Sequence, residues 1–175
     1  AESHPLADEF ARLADYLALM QVRMGARLQV AFDLPDELRA RPVPPLLLQP
    51  LVENAIKHGL EPKPAGGRIH VMARLHGEGT GTDLELRVRD TGIGPSDAAL
   101  AAAQSPAPVA PSQAPAAAGA AASYGIAHVR SRLRTMYGER ARFELQRADD
   151  AEGGALALIV LPGATPAAEP RRASR

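Results

Sequence analysis

The stretch that most constrains the fold is an amphipathic segment over residues 44–59, which reads PPLLLQPLVENAIKHG. Its apolar residues recur at the three-and-four spacing of a helix, which predicts a helix with one buried face. Pro44 and Pro45 suit the first helical turn, and Gly59 suits the position just past the last. We therefore expect the helix to fill the whole segment.

The opposite face of this helix carries a polar cluster made of Glu53, Asn54, Lys57 and His58. Residues four apart are neighbours on a helix surface, so these side chains lie close together. Asparagine is a poor residue for a helix interior because its amide competes for backbone hydrogen bonds. Asn54 therefore indicates a role beyond helix formation. The alternative is a solvated face with a Glu53–Lys57 ion pair.

Composition excludes several classes of function. The 175 residues carry 20 basic and 20 acidic side chains, and this balance predicts no nucleic-acid partner. The sequence has no cysteine, which excludes disulfides, thiolate metal sites and cysteine nucleophiles. No apolar run approaches the length of a membrane span. The chain opens at Ala1 rather than methionine, and we expect it to be part of a longer protein.

Periodicity elsewhere predicts a two-layer α/β sandwich. An apolar stripe from Leu6 to Met24 predicts one long helix, which packs on the domain's own sheet or forms a dimer contact. Alternating or continuous apolar residues predict strands over residues 27–34, 68–76, 83–90, 141–145 and 155–162. The second and third of these are close enough to form an antiparallel hairpin. We expect a mixed, mainly antiparallel sheet with helices on one face.

The third predicted strand ends in a carboxylate that shares the phase of its apolar residues. Leu84, Leu86 and Val88 lie on one face of this strand, and Asp90 falls on the same face. A buried charge without partners is costly, so Asp90 needs hydrogen-bond donors or a ligand. The TGIG sequence at residues 91–94 lets the backbone turn and approach another group closely.

Alanine dominates residues 95–123, but spaced prolines within this range forbid one long helix. We predict a long mobile loop with at most short helical ends, since insertions of this length are usually functional or disordered. A helix over residues 125–138 follows, and the polar residues 163–175 predict a disordered tail.

Three motifs follow one another in the order VENAIKHG, DTGIG and YGIAHVRSRLRTMYG. They resemble the N box, G1 box and G2 region of the ATP-binding domain of histidine kinases, which belongs to the Bergerat-fold group with gyrase, Hsp90 and MutL. The flanking LADYLALMQVRMGARL and the QPLVENAIKHG form resemble LytS/YehU-type sensor kinases most. The resemblance covers residues 6–162. It implies a helix continuing from a dimerisation region at residues 1–26, a catalytic domain at 27–162 and an ATP lid at 95–123.

The resemblance also implies a role for each residue that matches these motifs. Asn54 would ligate the Mg²⁺ that bridges the ATP phosphates, and Lys57 and His58 would face the phosphates or ribose. Asp90 would accept a hydrogen bond from the exocyclic amine of adenine. The amides at a helix start near Gly125 would meet phosphate. The other implied nucleotide-binding positions are Gly92, Ile93, Gly94, Tyr124 and Ile126.

The same resemblance favours phosphoryl transfer over ATP hydrolysis. Gyrase-like relatives place a carboxylate one helical turn before the asparagine, where this sequence has Pro50, which cannot act as a base. Glu53 projects about 100° away from Asn54 around a helix and is only a weak candidate for a catalytic group. The family's phosphoacceptor box is absent here, and His4 is not a credible acceptor. The resemblance implies that Mg-ATP donates its γ-phosphoryl group to a histidine outside this chain.

By the same resemblance, the full protein would be a membrane-anchored homodimeric sensor of a bacterial two-component system. This domain would lie on the cytoplasmic side of the inner membrane. Its partners would be the protein's own dimerisation and phosphoacceptor region and a response regulator of LytTR type.

Two other functions fit parts of the sequence. A degenerate nucleotide-fold module would bind a protein partner without turning over ATP, and the sequence AASY before Gly125, in place of a glycine-rich run, supports it. The triplet that starts at Asp90 also resembles the Asp-Thr-Gly of aspartic proteases. That chemistry needs two carboxylates sharing a proton, and this sequence has one such triplet.

Overall fold

The computed structural model describes residues 2–76, 82–104 and 118–163, with only the backbone described for residues 118–124. The middle of the predicted lid, residues 105–117, lies outside the described residues, as does the predicted tail from residue 164 onward.

Helices are interspersed among the strands along the described chain. The α-helices are α1 Leu6–Met24, α2 Gln49–Asn54, α3 Asp97–Gln104 and α4 Ala118–Tyr137. The strands are β1 His4–Pro5, β2 Leu28–Asp33, β3 Pro42–Val43, β4 Gly67–His76, β5 Asp83–Asp90, β6 Arg142–Arg147 and β7 Ala155–Leu161. A π-helical segment, Ala55–Leu60, continues α2. Short 3₁₀ turns occupy Gly25–Arg27, Asp36–Leu38 and Gly138–Arg140.

Within the described residues, the main sheet has five strands in the order β2-β4-β5-β7-β6. Strand β2 runs parallel to β4, and the other neighbouring pairs are antiparallel. Strands β1 and β3 form a separate antiparallel pair beside α1. The mixed, mainly antiparallel sheet and the β4–β5 hairpin are therefore confirmed.

One hydrophobic core joins α1 to the sheet. Leu6, Leu13 and Leu17 on α1 are at most 1% exposed and belong to the same buried cluster as Val71 and Leu86 of the strands. Gly25 follows the last residue of α1, so the predicted end of this helix is correct. The predicted packing of α1 on the domain's own sheet is what the structure has.

The prediction that one helix fills residues 44–59 is wrong at both ends. The α-helix begins at Gln49, because Leu46 adopts a positive φ of 56° that no helix accommodates. Pro44 and Pro45 precede the helix rather than forming its first turn. Gly59 lies inside the π-helical segment, where it packs closely against β5, and does not end the helix.

The boundary predicted after the lid differs from the structure, whereas the start of the lid agrees with the prediction. Residues 97–104 form α3 with two full turns of helix, one of the short helical ends that the prediction allowed. Helix α4 starts at Ala118, seven residues before the predicted start at Gly125. The prolines lie upstream of residue 118, so nothing interrupts the alanine-rich run between 116 and 123, and alanine is the strongest helix former.

Candidate functional site

A cavity of about 440 Å³ lies between the α2 helix with its π-helical continuation, the end of β5 and the start of α3. This volume is within the usual range of small-molecule sites, about 300–1,000 Å³. The polar residues that line it include Asn54, Lys57, His58, Asp90 and Ser96. Two motifs distant in the sequence therefore meet at one cavity.

Asp90 lies at the carboxyl end of β5 and is 4% exposed. Its Oδ1 accepts a hydrogen bond from the Gly92 N–H at 2.9 Å. Burial raises the pKa of Asp90 to about 6, although the Gly92 N–H and the nearby charges of Arg89 and Lys63 favour the ionised form. At neutral pH the side chain is therefore mostly ionised and can accept hydrogen bonds. Because it is buried, leaving this charge without further partners costs free energy.

The backbone around Asp90 is packed without room for side chains. A Cβ atom on Gly59 would lie 3.0 Å from Asp90 Oδ1, and one on Gly92 would lie 2.2 Å from the carbonyl carbon of Gly59. The Ile93 N–H donates to the Gly59 carbonyl oxygen at 2.9 Å. Gly92 does not line the cavity itself, whereas Ile93 and Gly94 do. These contacts dock the π-helical segment directly onto the end of β5.

The three predicted polar residues of the helical motif line the same cavity. Asn54 is the last residue of α2, and Lys57 and His58 lie in the π-helical segment that follows. Burial lowers the pKa of His58, and Lys57 lowers it further, so His58 is neutral at physiological pH. Short π-helical segments are frequent at functional sites. Here the segment presents an ammonium group and a neutral imidazole to the cavity, beside the Asn54 amide at the end of α2.

Glu53 does not line this cavity. Its Oε1 accepts a hydrogen bond from the Gln49 Nε2 at 3.2 Å, within α2. The structure therefore brings together Asn54 and Asp90 but turns Glu53 to a different face of the helix.

Gly125 and Ile126, two of the predicted residues on α4, do not line the cavity. Gly125 is inside α4 and not at its N-terminus, so the expected free helix-start amides do not occur there. Ile126 is 1% exposed in the hydrophobic core. Tyr124 is a helical residue whose side chain lies outside the described part of the structure.

Sequence reasoning missed several residues that line the cavity, namely Pro62, Pro95, Ser96 and Ala99. Ser96 caps α3, since its Oγ accepts a hydrogen bond from the Ala99 N–H at 3.1 Å. The signal was present in the sequence, because serine followed by Asp97 and an alanine run is typical of a helix start.

The described residues contain no group of three or more His, Asp or Glu side chains that could hold a metal ion. Asn54 offers a single amide oxygen. Such a site fits Mg²⁺, which is usually held by one or two protein ligands together with substrate phosphates and water.

In the described part of the chain, none of the helices combines the length and apolar character needed to cross a membrane.

Residues 45–165 match the model of a family described as histidine kinase-, DNA gyrase B-, and HSP90-like ATPase. The sensor histidine kinase BtsS of Escherichia coli strain K12 is 42% identical over 73 residues, which are 42% of this chain and 13% of that protein. The sensor protein LytS of Enterococcus faecalis is 34% identical over 70 residues, 40% of this chain and 12% of that protein. The chain thus spans only a small part of each of these curated relatives.

Solved structures similar to this chain include the catalytic domain of histidine kinase ThkA, with a TM-score of 0.61 and 12% identity over 93% of this chain and 95% of that one. The mycobacterial sensor histidine kinase MprB gives a TM-score of 0.56 and 19% identity over 93% of this chain and 98% of that one. At these identities the likeness shows the fold alone. A fold of this kind, with its helices, excludes the all-β aspartic protease.

Proposed function

The chain belongs to the family of histidine kinase-, DNA gyrase B- and HSP90-like ATPases, and we propose that it is the ATP-binding catalytic domain of a two-component sensor histidine kinase. In this proposal it binds Mg-ATP in the cavity between Asn54 and Asp90 and donates the γ-phosphoryl group to a histidine outside this chain.

The observation that carries the proposal is the buried carboxylate of Asp90 at the cavity. With a pKa of about 6 it is largely ionised at neutral pH, although burial disfavours its charge. A ligand that donates a hydrogen bond to it compensates for the lost hydration, and a charge-assisted hydrogen bond contributes about 1.5–3 kcal/mol. The exocyclic amine of adenine is a donor of this kind.

The opposite wall of the cavity suits the phosphates. Lys57 supplies a positive charge, and the neutral His58 can donate or accept a hydrogen bond toward ribose or phosphate. The Asn54 amide oxygen would complete the coordination of Mg²⁺, as a single protein ligand beside phosphate oxygens. When bound, Mg-ATP supplies the transferable phosphoryl group, and this chain's residues position it. Ile93 and Gly94 would contact the nucleotide from the loop after β5.

The described residues do not offer a base where ATP-hydrolysing relatives of this group carry a carboxylate, one turn before the asparagine. That position is Pro50, the second residue of α2. Glu53, the neighbouring carboxylate, accepts a hydrogen bond from Gln49 and is turned from the cavity. This supports transfer of the phosphoryl group to an external acceptor over rapid hydrolysis, with the base supplied elsewhere.

We further propose that residues 1–26 connect to a dimerisation and phosphoacceptor region, that residues 27–162 are the catalytic domain and that residues 95–123 cover the nucleotide. The full protein is proposed to be a membrane-anchored bacterial homodimer with this domain in the cytoplasm. It would act on a response regulator, with LytTR type as the proposed class.

Titration of the chain with a fluorescent adenine nucleotide in the presence of Mg²⁺ tests the site. We expect a saturable signal from the wild-type chain, displaced by unlabelled ATP and lost in Asp90→Ala. An equal signal from both proteins, or no binding at millimolar nucleotide, would contradict the proposal.

Incubation with radiolabelled ATP distinguishes a kinase domain from a module that only binds a protein partner. The chain alone is expected to retain no stable label from the γ-phosphate, because its acceptor lies elsewhere. A longer protein that includes the upstream histidine region is expected to acquire acid-labile label. If that longer protein binds ATP without becoming labelled, the degenerate interaction module is the better description.

A further inference from the structure

The five residues before α2, residues 44–48, form a strained turn that determines where the helix begins. Leu46 has a φ of 56° and is 44% exposed, although a leucine rarely adopts this conformation. Leu47 and Leu48, next to it, are at most 1% exposed. Strained conformations of this kind persist only where the surrounding structure holds them in place.

Glu9 of α1 holds this turn from one side. Its carboxylate is 1% exposed and bridges two backbone donors, with Oε1 2.9 Å from the Leu48 nitrogen and Oε2 3.1 Å from the Leu46 nitrogen. Leu48 is the residue that caps α2 and has no side-chain cap of its own. Glu9 therefore takes the part of a helix cap from a distant element, and its negative charge suits the N-terminal end of a helix.

Further contacts fix Glu9 and the turn from other directions. The His4 Nε2 lies 2.7 Å from Glu9 Oε2. On the other side, Arg132 of α4 donates to the Pro45 carbonyl oxygen at 2.6 Å and to the Leu46 carbonyl oxygen at 3.1 Å. The turn is thus held between α1 and α4 by hydrogen bonds to both its N–H and its C=O groups.

The turn connects to the cavity without a flexible link. Asn54 is six residues after Leu48, at the end of α2, and Lys57 follows in the continuous π-helical segment. Six helical residues span about 9 Å. A shift in the start of α2 is therefore transmitted to the Asn54 side of the cavity, whereas Asp90 is held separately by β5 and its sheet neighbours.

We propose that Glu9 is a positioning residue of the candidate nucleotide site. It fixes the start of α2 and thereby the placement of Asn54 and Lys57 relative to Asp90, and Arg132 is the second support of the same turn. The inference rests on the proposed function for its ligand. It adds a group on α1, outside the cavity, on which binding of the phosphates and metal depends.

The test compares Glu9→Gln with Glu85→Gln. Glutamine at position 9 keeps one acceptor oxygen and turns an NH₂ group toward a backbone N–H, so one of the two bonds is lost. Glu85 is the matched control because it is also 1% exposed, is bonded by Arg74 and Arg87, and does not line the cavity. Both changes remove one buried charge, but only the first acts on the turn.

We expect Glu9→Gln to weaken Mg-ATP binding on the order of tenfold, as is typical for groups that orient ligating residues. The ratio of ATP to GTP affinity is expected to stay unchanged, since it depends on Asp90. Amide hydrogen exchange at Leu46 and Leu48 should accelerate without nucleotide. Glu85→Gln should leave all three quantities at their wild-type values. A loss of stability alone would not produce this split between phosphate and base recognition.

Relieving the strain provides a rescue. Glycine adopts a positive φ freely, so Leu46→Gly in the Glu9→Gln background is expected to recover most of the lost Mg-ATP affinity, while Leu46→Gly alone changes little. If Glu9→Gln does not fold, Arg132→Ala must show the same split with a smaller loss.

The inference would be overturned if Glu9→Gln bound Mg-ATP with wild-type affinity, or if Glu85→Gln lost as much affinity as Glu9→Gln. If Glu9→Gln does not fold, an unchanged Mg-ATP affinity in Arg132→Ala would overturn it. If the wild-type chain itself binds no nucleotide, the proposed function fails instead, and only the hydrogen-exchange result then decides whether Glu9 holds the turn.

Discussion

Gly59 lies so close to Asp90 that a Cβ atom on the glycine would be 3.0 Å from the carboxylate oxygen Oδ1. The two residues belong to the two motifs that face each other in the cavity, one in the π-helical segment and one at the end of β5. The close approach buries the carboxylate, and burial is the main cause of its raised pKa. Packing of the π-helical segment thus contributes to the burial that shifts the pKa of Asp90, whereas β5 holds the residue in position.

Alanine substitutions of three glycines should have three different effects. Gly92→Ala places a Cβ 2.2 Å from backbone, and we expect it to destabilise the fold by about 1–3 kcal/mol. Gly59→Ala meets a side chain at 3.0 Å, and it should weaken nucleotide binding more than stability. Gly125→Ala meets no atom within 4 Å inside α4, and it should stabilise by about 0.5–1 kcal/mol. Unfolding in urea measures the stabilities of the three variants. A Gly125→Ala variant less stable than the wild type would contradict the expected order.

Asp90→Asn should raise the stability of the nucleotide-free chain at neutral pH. The pKa of Asp90 is about 6 in the folded chain, raised from the ordinary value of 3.8 for an aspartate. The folded state therefore binds more protons between these values, and stability falls as pH rises through them by about 3 kcal/mol. Asparagine carries no charge and avoids this loss. Thermal unfolding from about pH 4 to 8 should show a melting temperature that declines in the wild type and declines less in Asp90→Asn. Parallel declines in the two proteins would exclude titration of Asp90 as the cause.

Nucleotide binding should have the opposite pH dependence. In the proposed site the ionised Asp90 would accept the hydrogen bond from adenine, so binding is expected to favour the deprotonated form. Affinity is expected to fall progressively as pH drops below about 6, where the side chain becomes protonated. Calorimetric titrations with ADP at about pH 5 and pH 7.5 measure this, and an affinity that rises toward low pH would count against Asp90 as the acceptor.

The metal dependence of binding should reside in Asn54. In the wild type, chelation of Mg²⁺ with EDTA is expected to weaken ATP binding, because in the proposed site Asn54 would hold the ion beside the phosphates. In Asn54→Ala the affinity with Mg²⁺ should fall toward the value measured with EDTA. Glu53→Ala is the neighbouring control, since that side chain is turned from the cavity. If Mg²⁺ strengthened ATP binding in Asn54→Ala as much as in the wild type, Asn54 would not be the metal ligand.

The sequence was sufficient for the elements whose pattern is local. The stripe of α1 and the alternation of β5 each lie within one element, so periodicity predicted them together with the buried phase of Asp90. The start of α2 was not predictable in this way. It depends on the positive φ of Leu46, which contacts from α1 and α4 hold in place.

Half of the candidate site followed from the sequence because two motifs bring their own polar residues. Pro95, Ser96 and Ala99 were missed because they lie at or just before α3, in a segment whose composition favoured a loop. Glu9 was missed although the signal was available. It lies three residues after Leu6, within the apolar stripe of α1, and a carboxylate in a buried phase is what singled out Asp90.

The most direct test is a calorimetric comparison of Mg-ATP and Mg-GTP on the wild-type chain at about pH 7.5. In the proposed site adenine would present an amine to the Asp90 carboxylate where guanine would present a carbonyl oxygen, so guanine would lose one charge-assisted hydrogen bond of about 1.5–3 kcal/mol. We expect ATP to bind at least about tenfold more tightly than GTP, and Asp90→Ala to remove the preference. Equal affinities for the two nucleotides in the wild type would contradict base recognition by Asp90.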